Sequence, residues 1–362
     1  MSVLKFCLRL AVGAALVAVL LYEHEVRFRD VLIRIREIPP WCVLGALLLD
    51  LGGQSLCAYR WQCLAALAGR QVSLRRAWTI YFSGMFFNTC LPTTIGGDAV
   101  RVIGLGRHMG SKSVAFASVF MDRNVGLAAL LALGLASALL VPATLQVTFH
   151  FIQAEPVVCP LWPLFLAMLA GFALANLVLF RGKLYELADR LLVHRLPGHA
   201  RAKVEKLHSA LQAYNLPLKA YGWTFVLSLA YQASEAALVW VLAWGLGLKL
   251  PFWVFGSMVM FQAVAGLLPI SINNIGVREG IFCAVLLGQV GRLNLGVEEV
   301  KNGALALGLL YFGVVVASGL LGGLVYLAAG MPRPSAQEAN GGEVRAEAAG
   351  QTVADAVAEP PA

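Results

Sequence analysis

Apolar segments recur along this chain at about 5–22, 41–58, 77–91, 113–140, 161–180, 220–247, 252–268, 281–291 and 302–328. Several reach the ~18–20 residues that a helix needs to cross a bilayer. No single aqueous core can hide that much apolar surface. Of the 362 residues, 59% are hydrophobic and 13% charged, with a mean hydropathy of +0.75, against about half and about a quarter in ordinary soluble domains. The chain is therefore expected to be an all-α, polytopic membrane helix bundle. Soluble enzyme, secreted factor and nucleic-acid module are excluded as the main reading, and no nucleic-acid partner is expected.

Two segments are too short for ordinary spans. Residues 77–91 make only ~22 Å of helix before Pro92, and 281–291 only ~17 Å, against a hydrocarbon core of ~30 Å. The first runs into Thr93-Thr94-Ile95-Gly96-Gly97, and the second follows Ser271-Ile272-Asn273-Asn274-Ile275-Gly276. Irregular backbone at membrane depth survives only inside protein or beside a wet cavity. Both segments read as arms of re-entrant hairpins, at about 77–112 and 252–291, beside about six full spans.

The hairpin sequences repeat. Leu91-Pro92-Thr93-Thr94-Ile95 returns 177 residues later as Leu268-Pro269-Ile270-Ser271-Ile272, and at the same offset Val100-Arg101 falls on Val277-Arg278. Two irregular tips with one pattern are the mark of an inverted repeat, with a site between broken helices near the midplane.

Charge orients this arrangement. Segment 141–160 has no Lys or Arg, whereas 181–219 has eight against three acids. The positive-inside rule makes the latter a cytoplasmic basic link, puts both termini in the cytoplasm and sends the hairpins in from opposite faces. Lys5 and Arg9 precede a first span that is retained, since no small-residue cleavage site follows it. Segment 23–39, with four arginines and four acids, has the spacing of an interfacial amphipathic helix. Pieces Lys183–Leu196 and His199–Tyr214 form either a solvated link or a headgroup-contacting surface. Residues 1–330 make the membrane domain. Residues 331–362, rich in Ala, Glu, Gly and Pro, read as a disordered cytoplasmic tail carrying −3 of a net charge of +8. The remaining +11 points to anionic membrane lipids as partners. Neither the seven cysteines nor the six histidines form a metal-ligand pattern, so no metal or cofactor is expected.

An ionisable group at the bilayer centre costs about 2.5–3.5 kcal/mol on insertion scales, so each needs a partner or a task. Asp98 and Arg101 follow Gly96-Gly97 and share one helix face. The amides opening that helix, with Arg101, make an anion cradle suited to phosphate, and Gly276-Val277-Arg278-Glu279-Gly280 offers the same parts. Asp122-Arg123 lie inside the 113–140 span and point about 100° apart, so their partners are sought among Asp98, Arg101, Arg278 and Glu279. These charges form either a structural ion-pair network or a headgroup or proton-coupled site. Asn88 either caps freed backbone or touches substrate. Asp50 with Gln54, and Glu235 with Gln232, sit inside spans, and Glu235 is a candidate proton relay. Gly319-Leu320-Leu321-Gly322-Gly323 reads as a helix-packing seam.

Together, Asn88-x-x-Leu91-Pro92-x-x-x-Gly96-Gly97-Asp98-x-x-Arg101, Asp122-Arg123-x-x-Gly126 and Pro269-x-Ser271 through Gly276-Val277-Arg278-Glu279-Gly280 resemble the flippase-like integral membrane family, also called the lysylphosphatidylglycerol synthase transmembrane region family. The resemblance covers roughly residues 5–328. It departs at Asn274, where a glycine is expected, although Asn tolerates left-handed backbone better than most residues. It implies an architecture and a lipid substrate class. In the bifunctional resistance factor of that family a soluble domain makes the aminoacyl transfer. A tail of about 30 residues is too short for one, so the synthase reaction is not expected.

The leading expectation is a bacterial inner-membrane lipid translocase, flippase-like and not an enzyme, moving an anionic phospholipid or polyprenyl-phosphate-linked headgroup. Arg101 and Arg278 would bind phosphate, with Asp98, Asp122 and Glu279 holding them. Asn88, Gly96, Gly97, Arg123 and Ser271 would complete the site. Two alternatives stand beside it. One is a non-transporting membrane partner of a lipid-modifying or glycan-assembly enzyme. The other is a membrane-embedded headgroup transferase with Asp98 or Glu279 as base.

Overall fold

A computed structural model describes residues 28–67, 72–90, 95–140, 161–180, 218–266 and 274–329, with single positions at 186, 198 and 201. The expected first span, both hairpin tips with Ser271, segment 141–160, almost all of the basic link and the tail lie outside the described residues.

Eleven helices and no strand occur among the described residues. They are α1 (Phe28–Glu37), α2 (Pro40–Leu67), α3 (Leu74–Cys90), α4 (Ile95–Met109), α5 (Lys112–Leu140), α6 (Leu161–Phe180), α7 (Leu218–Gly245), α8 (Phe252–Ala265), α9 (Val277–Leu287), α10 (Val290–Leu293) and α11 (Val297–Ala329). Within α2, α5, α6, α7 and α11 lie five helices long and apolar enough to cross a membrane. This is an all-helical, multi-pass bundle.

Local chemistry sets the boundaries. Pro39-Pro40 separates α1 from α2, with Pro40 at the first helical position where its missing N–H costs nothing. Ser73 and Ser111 cap α3 and α5, their hydroxyls accepting from the amides of Arg76 and Val114. The α2 helix runs nine residues past the apolar segment that marked it, because Arg60, three turns from its start of polarity at Asp50, finds buried partners instead of solvent.

The frame is the antiparallel pair α2–α7. Arg60 meets Ser228, Gly53 faces Tyr231 and Ser234, Gly45 faces Val241, and Cys42 packs on Gly245. Helices α3 and α4 form a hairpin joined at the C-terminal end of α2, with Gly84 against Gly97 and Arg101 and Gly104 against Ile80. Helices α8 and α9 follow the C-terminal end of α7. Since α2 and α7 run in opposite directions, the two helical pairs enter the bundle from opposite ends.

Helix α11 crosses between them. Gly308, Tyr311 and Phe312 meet the start of α9, while Gly319, Gly322 and Gly323 meet Thr89, Phe82 and Phe86 of α3. The glycine seam is thus an internal contact, where the Phe82 carbonyl approaches Gly322 too closely for a Cβ and the Thr89 and Phe86 side chains crowd Gly319 and Gly323. The start of α9 and the end of α3 reach successive turns near the middle of α11. Asn274 has φ 57° and Gly276 φ 85°, so the departure from glycine at 274 keeps a left-handed turn that Asn accommodates.

The flanks fit a lipid surround. Trp41, Trp162, Trp240, Trp244 and Trp253 are exposed near one end of the bundle, the position of an interfacial aromatic belt. Trp78, by contrast, stacks on Phe82 and donates to Ser55. Arg34 of α1 reaches Glu299 of α11 at 3.3 Å, and Val31 is buried.

Gly322→Val should lower the thermal unfolding temperature in detergent, because its Cβ would strike the Phe82 carbonyl; overpacking costs about 1–3 kcal/mol. Gly313→Ala, with nothing within 4 Å of its added carbon, should leave that temperature unchanged.

Candidate functional site

Five charged residues form a continuous network where the α3–α4 hairpin meets α2 and α5. Asp122 of α5 accepts from Arg60 of α2 at 2.8 Å with one oxygen and from Arg101 of α4 at 2.6 Å with the other. Arg101 also reaches Asp98 at 3.4 Å, and Arg123 donates to both oxygens of Asp98, at 2.9 and 3.1 Å. Arg60 makes a further bond to Ser228 of α7 at 2.8 Å. Asp122 and Arg123, adjacent in sequence, thus have different carboxylate or guanidinium partners, as their divergent directions require.

Arg101 is 3% exposed. Its guanidinium lies between the rings of Trp61 and Tyr81, 4.5 and 4.6 Å from their centroids, where cation–π attraction offsets part of its desolvation. Its Nε–H has no acceptor among the described residues. Arg123 differs: 56% of its side chain is uncovered by protein.

Arg101 and Arg123 border a cavity of about 200 Å³, below the ~300–1,000 Å³ of drug-sized ligand sites. Its wall includes Asp50 and Gln54 of α2, Asn88 of α3, Arg101, Arg123 and Tyr231 of α7. Asn88 both lines it and accepts from the Gly97 amide at 2.7 Å. Gly97 is required there, since a Cβ would overlap Asn88 and the Gly84 carbonyl. The anticipated cradle of free amides at the start of α4 is therefore already partly filled by Asn88. Gly96 is half-buried beside it.

The α9 side is arranged differently. Arg278 and Glu279 do not join the Asp122 network, although the sequence left that open, and neither is among the described residues lining the cavity. Glu279 accepts from Arg278 and from the Gly276 amide, the latter at 2.6 Å. The Arg278 guanidinium sits 5.5 and 5.1 Å from the Tyr311 and Phe312 ring centroids. Adjacent residues can pair here because Glu279 turns back over the helix start. Gly308 makes room for its stem. The two arginines thus occupy separate pockets rather than one.

Between them lies a third polar group. Glu235 of α7, 6% exposed, accepts from Tyr311 at 3.1 Å, and Tyr311 accepts from Gln262 at 3.4 Å. Asp50, on the turn of α2 that packs against this part of α7, accepts from Gln54 at 3.1 Å. Sequence reasoning missed Arg60, Trp61, Tyr81 and Tyr311. A charge continuing helically ten residues after Asp50 was the one available signal for Arg60; the aromatic rings carried none, since such residues are common in any span.

Asp122→Asn should strand Arg60 and Arg101 and cost about 3–5 kcal/mol, read as a large fall in thermal stability in detergent. Arg123→Gln, at an uncovered pair, should stay within about 1 kcal/mol of wild type.

A family model described as the lysylphosphatidylglycerol synthase TM region matches residues 6–323. That interval holds every helix above except the last turns of α11. No curated protein matches the sequence. The chain belongs to the lysylphosphatidylglycerol synthase transmembrane region family and is a multi-pass membrane protein.

Proposed function

We propose that this protein is a lipid translocase that passes an anionic headgroup, of a phospholipid or a polyprenyl-phosphate-linked lipid, through the cavity beside the α3–α4 hairpin while the acyl chains stay in lipid. The observation that carries this reading is Arg101: a guanidinium buried in an apolar bundle, lining a cavity, with one donor unused. Arg60, Arg101 and Arg123 against Asp98 and Asp122 leave one positive charge beside that space, and a guanidinium donor matches phosphate oxygens. Arg123, uncovered and held among the described residues by Asp98, is the residue able to swing toward a headgroup.

We read the chain as an inverted repeat, an arrangement that would favour movement over static binding. Helices α2 and α7 are each 28 residues long and begin 178 positions apart, at Pro40 and Leu218. Helices α3 and α8 also begin 178 apart, at Leu74 and Phe252. Arg101 and Arg278 keep nearly the same spacing, and Gln54 corresponds to Gln232. Two such halves rocking about the α2–α7 contact would expose the cavity to each leaflet in turn. The distribution of basic residues favours an orientation with both termini in the cytoplasm, in what we take to be a bacterial inner membrane.

Reconstitution into vesicles carrying labelled phosphatidylglycerol, or a labelled polyprenyl phosphate, in one leaflet tests the proposal. Wild type should equilibrate at least one of these lipids faster than protein-free vesicles. Arg123→Gln, which keeps the fold, should slow it about tenfold, and the Arg101→Ala/Arg278→Ala pair should abolish it. Equal rates for wild type and both variants, across both lipids, would overturn it.

A further inference from the structure

Asp50 and Glu235 are buried, at 3% and 6% exposure, on the two helices that form the frame of the bundle. One turn from Asp50, Gly53 touches Tyr231 and Ser234, and two turns further on Arg60 meets Ser228, so the antiparallel register sets Asp50 and Glu235 on apposed turns of the two helices. Among the described residues neither lies within ion-pair distance of a cation. The arginines of the cavity are held by Asp98 and Asp122, and Arg278 by Glu279.

We propose that Asp50 and Glu235 share one proton, and that an anionic headgroup entering the adjoining cavity strengthens their hold on it. The linkage to a headgroup rests on the translocase reading above; the shared proton does not. Two facing carboxylates, both ionised in a low-dielectric interior without a counter-cation, repel strongly, and one proton between them removes that repulsion. Proton binding from solvent takes the pair from −2 to −1, and the pair titrates as a unit.

Every element packed around the pair supplies neutral donors to it or keeps its cations engaged elsewhere. Gln54 donates to Asp50 from α2, and Tyr231 stands beside Glu235 on α7. Tyr311 donates to Glu235 from α11, with Gln262 of α8 behind it, and the buried Ser318 hydroxyl of α11 has no hydrogen-bond partner among the described residues. Tyr81 of α3, Arg101 of α4 and Arg123 of α5 lie across the cavity from Asp50. Arg278 of α9 lies beyond the Tyr311 ring.

The sign of the coupling follows from charge. The five-residue network carries +1, and an ionised Asp50 in the cavity wall cancels it. With the proton on Asp50 the cavity keeps +1 and admits an anion; conversely, an anion beside Asp50 favours its protonated form. Each ligand raises the affinity for the other by the same factor, so a proton and an anionic headgroup enter together. Tyr311 ties this event to the other half of the bundle, because its hydroxyl holds Glu235 while its ring covers Arg278.

Infrared titration of the full chain in nanodiscs, of phosphatidylcholine alone and with phosphatidylglycerol added, tests both parts. A protonated-carboxyl band should persist at neutral pH in wild type and vanish in Asp50→Asn/Glu235→Gln. Phosphatidylglycerol should move its midpoint to higher pH, by about fivefold or more in proton affinity. No such band in wild type, or one that survives the double substitution, overturns the shared proton whatever the lipid does. Should the double variant fail to fold, the wild-type titration with and without phosphatidylglycerol still decides. A band that stays put while phosphatidylglycerol is moved in the vesicle assay overturns the linkage. A band present while neither phosphatidylglycerol nor polyprenyl phosphate is bound or moved upholds the shared proton and sinks the translocase reading.

Discussion

Asp122 accepts guanidinium groups from two helices that lie far apart in sequence, and the position of the α3–α4 hairpin depends on it. A carboxylate at 1% exposure inside an apolar bundle is tolerable only when both oxygens are engaged, and a buried arginine only when its charge is met. Arg60 meets one oxygen and Arg101 the other. Through them α2, α4 and α5 are held in one relation, and the Arg60–Ser228 bond extends it to α7. Removing the shared carboxylate would leave Arg60 without a carboxylate among the described residues and Arg101 with only its longer contact to Asp98, so the hairpin cannot drift without a large electrostatic cost.

The two hairpins use similar residues for different ends. On the α9 side, Glu279 satisfies Arg278 and the Gly276 amide within one turn, and Tyr311 and Phe312 close over the cation. Among the described residues that group is complete in itself. On the α4 side, Arg101 keeps a donor with no acceptor among the described residues, and Arg123 remains uncovered beside a cavity. The asymmetry matters for function because a satisfied ion pair has nothing to offer a ligand, whereas an unused buried donor gains by finding one.

The bundle was legible in the sequence to the extent that it depends on length and hydropathy. The runs at 41–58, 113–140, 161–180, 220–247 and 302–328 each match, to within two residues at the ends, part or all of a helix long enough to span a membrane, and the breaks after Cys90 and before Val277 follow Pro and Gly punctuation that a helix cannot ignore. Boundaries were less legible. Helix α2 continues through Arg60, because the cost of that charge is removed by a residue 62 positions away, which no local window contains. Of the site, the acid–base composition was readable, and Asp122 with Arg101 and Asp98 with Arg123 do meet. The pairing of Arg278 with its own neighbour was not readable, since it depends on how Glu279 turns at the start of α9.

Solvation alone made this chain a membrane bundle: so many apolar residues with so few charges have no aqueous solution, and the handful of charges left inside the spans had to be matched. Which charge meets which was decided by tertiary packing. Partner choice is set by the register of α2 against α7 and by the depth at which each helical pair stops along α11, and both follow from close glycine contacts summed over the whole bundle. Coulomb attraction falls with distance, so a shift of one helical turn would have exchanged the partners while leaving every sequence pattern intact.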